Sequence, residues 1–181
     1  MSKSIAVNAG SSTVKFKLFD MPSEEVVAEG LIERIGLEMG HAKIKYGDGQ
    51  VHDEETPFKD HGVAVEYLLK QLTNLGIVKE YSEITAVGHR VVAGGEFFKD
   101  SAVIDDDVMA KIDELSEYAP LHNPAELMGI KAFKEVLPDA FAIAVFDTSA
   151  TTSSLGISNN LNLTVELPAL TAIDFDILTL L

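Results

Sequence analysis

Residues 6–15, AVNAGSSTVK, put an amide, small side chains and two adjacent hydroxyls between apolar runs and close on a lysine. Small residues let an anion approach the backbone, hydroxyls and amides donate hydrogen bonds, and Lys15 adds positive charge. The chemistry on offer is phosphate binding; an ordinary hairpin turn is the alternative. Three further stretches carry reactive residue types. GHRVVAGGE, residues 88–96, ends an apolar run in His-Arg and continues into a paired-glycine loop with Glu96. APLHNP, residues 119–124, brings His122, and VFDT, residues 145–148, presents Asp147. Taken singly, Arg90 could serve a surface ion pair, His89 and His122 could be structural, and Asp147 could cap a turn.

These residues need elements to hold them. Residues 4–7, Ser-Ile-Ala-Val, read as a short buried strand, and 13–19 alternate polar and apolar with the period of a half-buried strand. Further strands are expected at 25–33, 41–47 and about 51–57, parted by turns such as Gly47-Asp48-Gly49. A helix follows from about Asp60, with Val65, Leu68, Leu69, Leu72 and Leu75 on one face. Residues 84–92 read as a central strand that delivers Arg90. The run Asp105-Asp106-Asp107 suits the start of a second helix, with Val108, Met109, Ile112 and Leu115 inward, better than it suits a metal site. Asn123 as N-cap, Pro124 in the first turn and Glu126 as partner of a capping box predict a third helix to about Val136. Residues 139–148 then form an apolar run ending in Asp147, as expected of a strand buried on both faces that opens into a ligand crevice.

Composition narrows the partners. The 181 residues carry a formal charge of −15, which disfavours nucleic acid and anionic membrane surfaces. Without cysteine there are no disulfides or thiolate metal sites, and the composition suits a reducing cytoplasm. The amino terminus does not read as a signal peptide, and no apolar run approaches the roughly 20 residues of a membrane span. His41, His52 and His61 lack metal-ligand spacing and receive no function. All 14 Lys and Arg lie before Ser149; residues 149–181 hold only Glu166, Asp174 and Asp176 as charges.

In their order, IAVNAGSSTVK, GHRVVAGGE, APLHNP and VFDT resemble the acetate kinase family over residues 1–148. The resemblance implies an α/β fold: a ribonuclease-H-like domain of the actin-like, sugar-kinase-like superfamily, its second domain missing from this chain. It implies reversible phosphoryl transfer from ATP to acetate, giving acetyl phosphate and ADP, with Mg2+ as cofactor in a cytoplasmic homodimer. By the same resemblance Asn8 organises the metal and phosphate region, Lys15 meets the nucleotide phosphates, and Ser11 and Thr13 supply hydroxyls. Arg90 holds the carboxylate and the phosphoryl group, Asp147 is catalytic, and Val92 and Leu121 wall the pocket for the acetate methyl. Acetate is the expected substrate, with propionate or butyrate as near variants.

The sequence also departs from that pattern. Ser149-Ala150-Thr151 stands where the family has Ala-Phe-His, and Ala93 stands where many members have His. The later Gly-His-Gly-Thr-Ser-His-type block, a second arginine and the magnesium glutamate of the family are not found. The expectation is an amino-terminal domain over 1–148 followed by a divergent tail, 149–181, outside the family fold. A different class of function is kept beside the kinase: a catalytically inactive fragment that binds anions weakly or pairs with other subunits.

Overall fold

The structure is a computed structural model, and it describes residues 2–146. Eight strands form one mixed sheet in the order β5-β4-β3-β2-β1-β6-β8-β7. The first five, β1 (Ser2–Ala9), β2 (Thr13–Met21), β3 (Glu25–Glu33), β4 (Gly40–Tyr46) and β5 (Gln50–Thr56), make an antiparallel meander. Then α1 (His61–Asn74) leads to β6 (Ile84–Val91), which pairs parallel to β1. The short edge strand β7 (Ala102–Val103), α2 (Asp106–Glu114) and α3 (Asn123–Val136) precede β8 (Phe141–Phe146), which pairs parallel to β6. The strands expected from alternation all form, within a residue or two of the expected limits.

The described helices pack on one face of the sheet. Ile5, Val7 and Ala9 of β1, Val14, Phe16 and Leu18 of β2, and Val87 of β6 share a core with Leu68, Leu69 and Leu72 of α1 and Phe133 of α3. A second cluster joins Val91, Ala144 and Phe146 to Val108 and Ile112 of α2 and Leu127 and Ile130 of α3. Gly129 allows the close approach of α3 to β1, since a Cβ there would sit 2.9 Å from that of Ala9. A third cluster, Ala6, Phe19, Ala86, Ile143 and Val145, lies on the opposite face and consists of strand residues alone. Among the described residues no helix is long and apolar enough to cross a membrane.

Two helix starts follow the expected chemistry and one does not. Asp60 caps α1 by accepting from the Val63 amide at 2.9 Å. Asp105 caps α2 by accepting from Val108 at 2.8 Å, while Asp107 pairs with Lys111 and Asp106 with Lys134. The acidic run therefore starts a helix, as its charge suggests. At α3 the expected capping box is corrected. Asn123 is already helical, the preceding His122 makes no capping hydrogen bond with its side chain, and the side chains of Asn123 and Glu126 turn elsewhere.

Opposite the helices, β3, β4 and β5 expose a polar surface on which His41 bridges two carboxylates. Its Nδ1 lies 3.2 Å from Glu33 and its Nε2 2.8 Å from Asp53. The bond to Asp53, then that to Glu33, raises the His41 pKa, and the same contact lowers that of Asp53. For a raised histidine the extra stability is fully present below the unfolded pKa and is lost as pH climbs through the folded one. Wild type is thus expected to lose stability relative to His41→Gln between about pH 6 and about pH 8. Urea unfolding of both proteins at the two pH values checks this; parallel changes would refute it.

Candidate active site

The alternation of β1 decides where the site lies. Ile5, Val7 and Ala9 are drawn under the helices, so Asn8 must point to the other face. Asn8 pairs with Lys15 on β2, which puts the two side chains next to each other. On the other side the register runs Val7 with His89, so one further step sets Asn8 beside Arg90. Arg90 in turn pairs with Val145 of β8. Lys15, Asn8, Arg90 and Val145 therefore form a row across four neighbouring strands, on the face that the described helices leave open. The row lies at the carboxyl ends of β1, β6 and β8, the position from which open α/β sheets serve ligands.

The row is polar and positively charged. Lys15 is half-buried and forms no ion pair among the described residues, in a chain with 29 acidic side chains to 14 basic ones. Arg90, also half-buried, supplies a planar fork of donors suited to carboxylate or phosphate. Its neighbour His89 takes the opposite side of the strand. There it is fully buried edge-to-face on Phe133, with ring centroids 5.5 Å apart, and burial pushes its pKa down to about 3. His89 is thus a neutral core residue, one of the two roles left open for it by sequence.

The Gly10–Ser12 loop closes the β1–β2 hairpin beside this row. The Gly10 amide donates to the Thr13 carbonyl at 2.9 Å, and the Ile35 amide donates to the Ser12 carbonyl at 3.0 Å. A Cβ at position 10 would lie 2.7 Å from the Thr13 hydroxyl oxygen, so any larger residue would push that hydroxyl aside. Ser11 is exposed at the tip and Thr13 is half-buried at its base. His61, the first residue of α1, is 3% exposed and holds the Gly10 carbonyl with Nε2 at 2.7 Å.

The opposite lip is the loop after β6. Both carboxylate oxygens of Glu126 lie 3.2 Å from the Val92 amide. The Asn123 side chain accepts from the Ala93 amide and donates to the carbonyls of Ala93 and Ile112, at 3.3–3.4 Å. Both residues are buried, so these bonds satisfy polar groups that would otherwise be stranded. The amino-terminal end of α3 thereby fixes the loop carrying Val92. Leu121 is 75% exposed on the segment leading into α3, two residues before Asn123. Asp147 lies outside the described residues; it follows Phe146 directly in sequence.

The arrangement gathers Asn8, Lys15 and Arg90 in one row, sets Ser11 on the loop beside it and Thr13 at the start of β2, and pins Val92 at the facing loop. For a divalent cation, the described residues include no cluster of three or more His, Asp or Glu side chains able to hold one. Asn8 offers a single amide oxygen, which fits only an ion taking most ligands from phosphates and water, as Mg2+ does. Sequence reasoning missed three supports. His61 had no local signal because its partner is 51 residues away, and Asn123 and Glu126 imitate a capping box while serving a loop about 30 residues upstream.

The sequence profile of the Acetokinase family matches residues 3–162. The chain belongs to the acetokinase family. Over 149 residues it is 86% identical to an acetate kinase of Limosilactobacillus fermentum, a match covering 82% of this chain and 37% of that protein. An acetate kinase of Fructilactobacillus sanfranciscensis is 62% identical over the same length. Among solved structures, the Porphyromonas gingivalis acetate kinase superposes with a TM-score of 0.79 at 42% identity, and a Francisella tularensis propionate kinase with 0.73 at 34%. Each structural match covers 82% of this chain and 38% of the other. The chain thus spans less than two-fifths of the length of these relatives. The α/β sheet is accordingly the ribonuclease-H-like domain of the actin-like fold, as the motifs implied. The family profile runs past Thr148 to residue 162, while the matches to these relatives extend over 149 residues.

The α3 start yields a direct test. Asn123→Ala strands the Ala93 amide and is expected to cost about 1–3 kcal/mol and to speed amide exchange at Ala93. His122→Ala, at an exposed position without a capping bond, should stay within about 0.5 kcal/mol. Denaturant unfolding with hydrogen exchange checks both, and equal costs would contradict the assignment.

Proposed function

We propose that this chain carries the carboxylate- and phosphoryl-binding side of an acetate kinase, in which ATP and acetate exchange a phosphoryl group to give ADP and acetyl phosphate. The observation that carries the proposal is the Lys15–Asn8–Arg90 row beside the small-residue loop. An acetate carboxylate is already ionised at neutral pH, so the attacking oxygen needs no base. It forms a bond to the γ-phosphorus while the bond to the bridging oxygen breaks and ADP departs with that electron pair. Such a transfer asks for alignment and for neutralisation of the charge on the equatorial oxygens.

In this proposal Arg90 orients the carboxylate and offsets the charge of the phosphoryl group passing to it. Lys15 faces the nucleotide phosphates, with the hydroxyls of Ser11 on the adjoining loop and Thr13 at the head of the same strand. Val92 and Leu121 border the apolar end of the acid, and one methylene more or less there is worth about 1–3 kcal/mol. Asp147 keeps the catalytic place that the family motif gives it. Mg2+, held in part through the Asn8 oxygen, would supply charge neutralisation at the phosphates. The 86% identity to an acetate kinase supports acetate as the acid.

A second reading, an anion-binding module without turnover, draws on the chain's span of 37% of its relative. The two readings separate in one experiment. The 181-residue chain alone, given ATP, Mg2+ and acetate, is expected to yield no acetyl hydroxamate above background. A chimera placing residues 1–149 into the L. fermentum enzyme should be active, and Arg90→Ala within it should lower the rate about 100- to 1,000-fold. An active chimera indifferent to Arg90 would overturn the assignment of that residue.

A further inference from the structure

The loop beside Lys15 has a support from a distant part of the chain. His61 opens α1, is 3% exposed, and its Nε2 lies 2.7 Å from the Gly10 carbonyl oxygen. A carbonyl can only accept, so Nε2 bears the proton and donates. In a planar trans peptide the C=O of one residue and the N–H of the next point in opposite directions. Drawing the Gly10 carbonyl towards α1 therefore turns the Ser11 N–H away from α1. The row of Asn8, Lys15 and Arg90 occupies the face of the sheet opposite that helix. A Gly10 carbonyl turned the other way would present a partial negative charge to any anion there.

We infer that His61 is a positioning residue for the anion loop: its Nε2–H fixes the Gly10–Ser11 peptide plane so that the Ser11 amide, and not the Gly10 carbonyl, faces the phosphate. The inference rests on the proposed function for the identity of the ligand, but the orientation of the peptide is a separate matter of geometry. Gly10 matters to the same end. With no side chain at position 10, where a Cβ would lie 2.7 Å from the Thr13 hydroxyl oxygen, the loop folds close over Thr13 beside the peptide that His61 holds. The Ile35 amide locks the following Ser12 carbonyl in the same manner, at 3.0 Å.

The test uses the full 181-residue chain, labelled with 15N, with His61→Phe and His61→Gln. Phenylalanine keeps a planar ring in the buried space but removes the donor; glutamine keeps a terminal N–H donor. The His61 imidazole of wild type should show the Nε2–H tautomer. Amide exchange at Gly10–Thr13 should quicken in His61→Phe and be restored in His61→Gln. Titrated with inorganic phosphate, His61→Phe should bind about tenfold more weakly, with His61→Gln close to wild type. An Nδ1–H tautomer, or a Phe variant whose loop exchange and phosphate affinity match wild type, would overturn the inference. Wild-type loop amides that ignore phosphate while the exchange pattern holds would instead refute the anion-site reading and leave the peptide lock standing.

Discussion

Side chains along a β-strand alternate between faces, and in this protein that constraint governs the site. Burying Ile5, Val7 and Ala9 beneath α1 and α3 leaves Asn8 no choice but the open face. Antiparallel pairing passes that orientation to Lys15, and parallel pairing passes it to Arg90. A slip of one residue at either pairing would send Lys15 or Arg90 into the apolar core and bring Val14 or Val91 out. The energy that fixes the register is apolar burial on the helix side, so the core and the candidate site are two faces of one arrangement.

The helices add a second layer of control by reaching to the two lips of the row. α1 touches the Gly10–Ser12 loop through His61, and α3 touches the Val92–Ala93 loop through Asn123 and Glu126. Each contact joins a buried side chain to main-chain groups, and so holds the loop backbone. α1 and α3 pack beside each other against the strands that carry the row. Displacing either helix would move a lip as well as the core. This is how a site made from loops acquires the precision of the scaffold below it.

Much of this was legible in the sequence because the signals are local. Alternation in 13–19 marked β2, the spacing of Val65, Leu68, Leu69 and Leu72 marked α1, and Asp105 behaves as the electrostatics of a helix start require. The family resemblance singled out Asn8, Lys15 and Arg90, and strand pairing then placed them side by side. What stayed hidden depends on contacts distant in sequence. Asn123 and Glu126 have the spacing of a capping box, yet buried main-chain groups at Val92 and Ala93 compete for their side chains and win. His61 receives no function from the sequence, since nothing nearby announces a partner at Gly10.

The central claim is that register alone brings Lys15 and Arg90 to a single anion. It is tested most directly by titrating inorganic phosphate into the 15N,13C-labelled chain while following the Lys15 side-chain carbons and the Arg90 Nε–H together. One shared saturation curve, abolished for both reporters by either Lys15→Met or Arg90→Met, is the expected result. Separate curves, or a response at one residue that persists after the other is replaced, would show that the two cations serve different sites and would contradict the account.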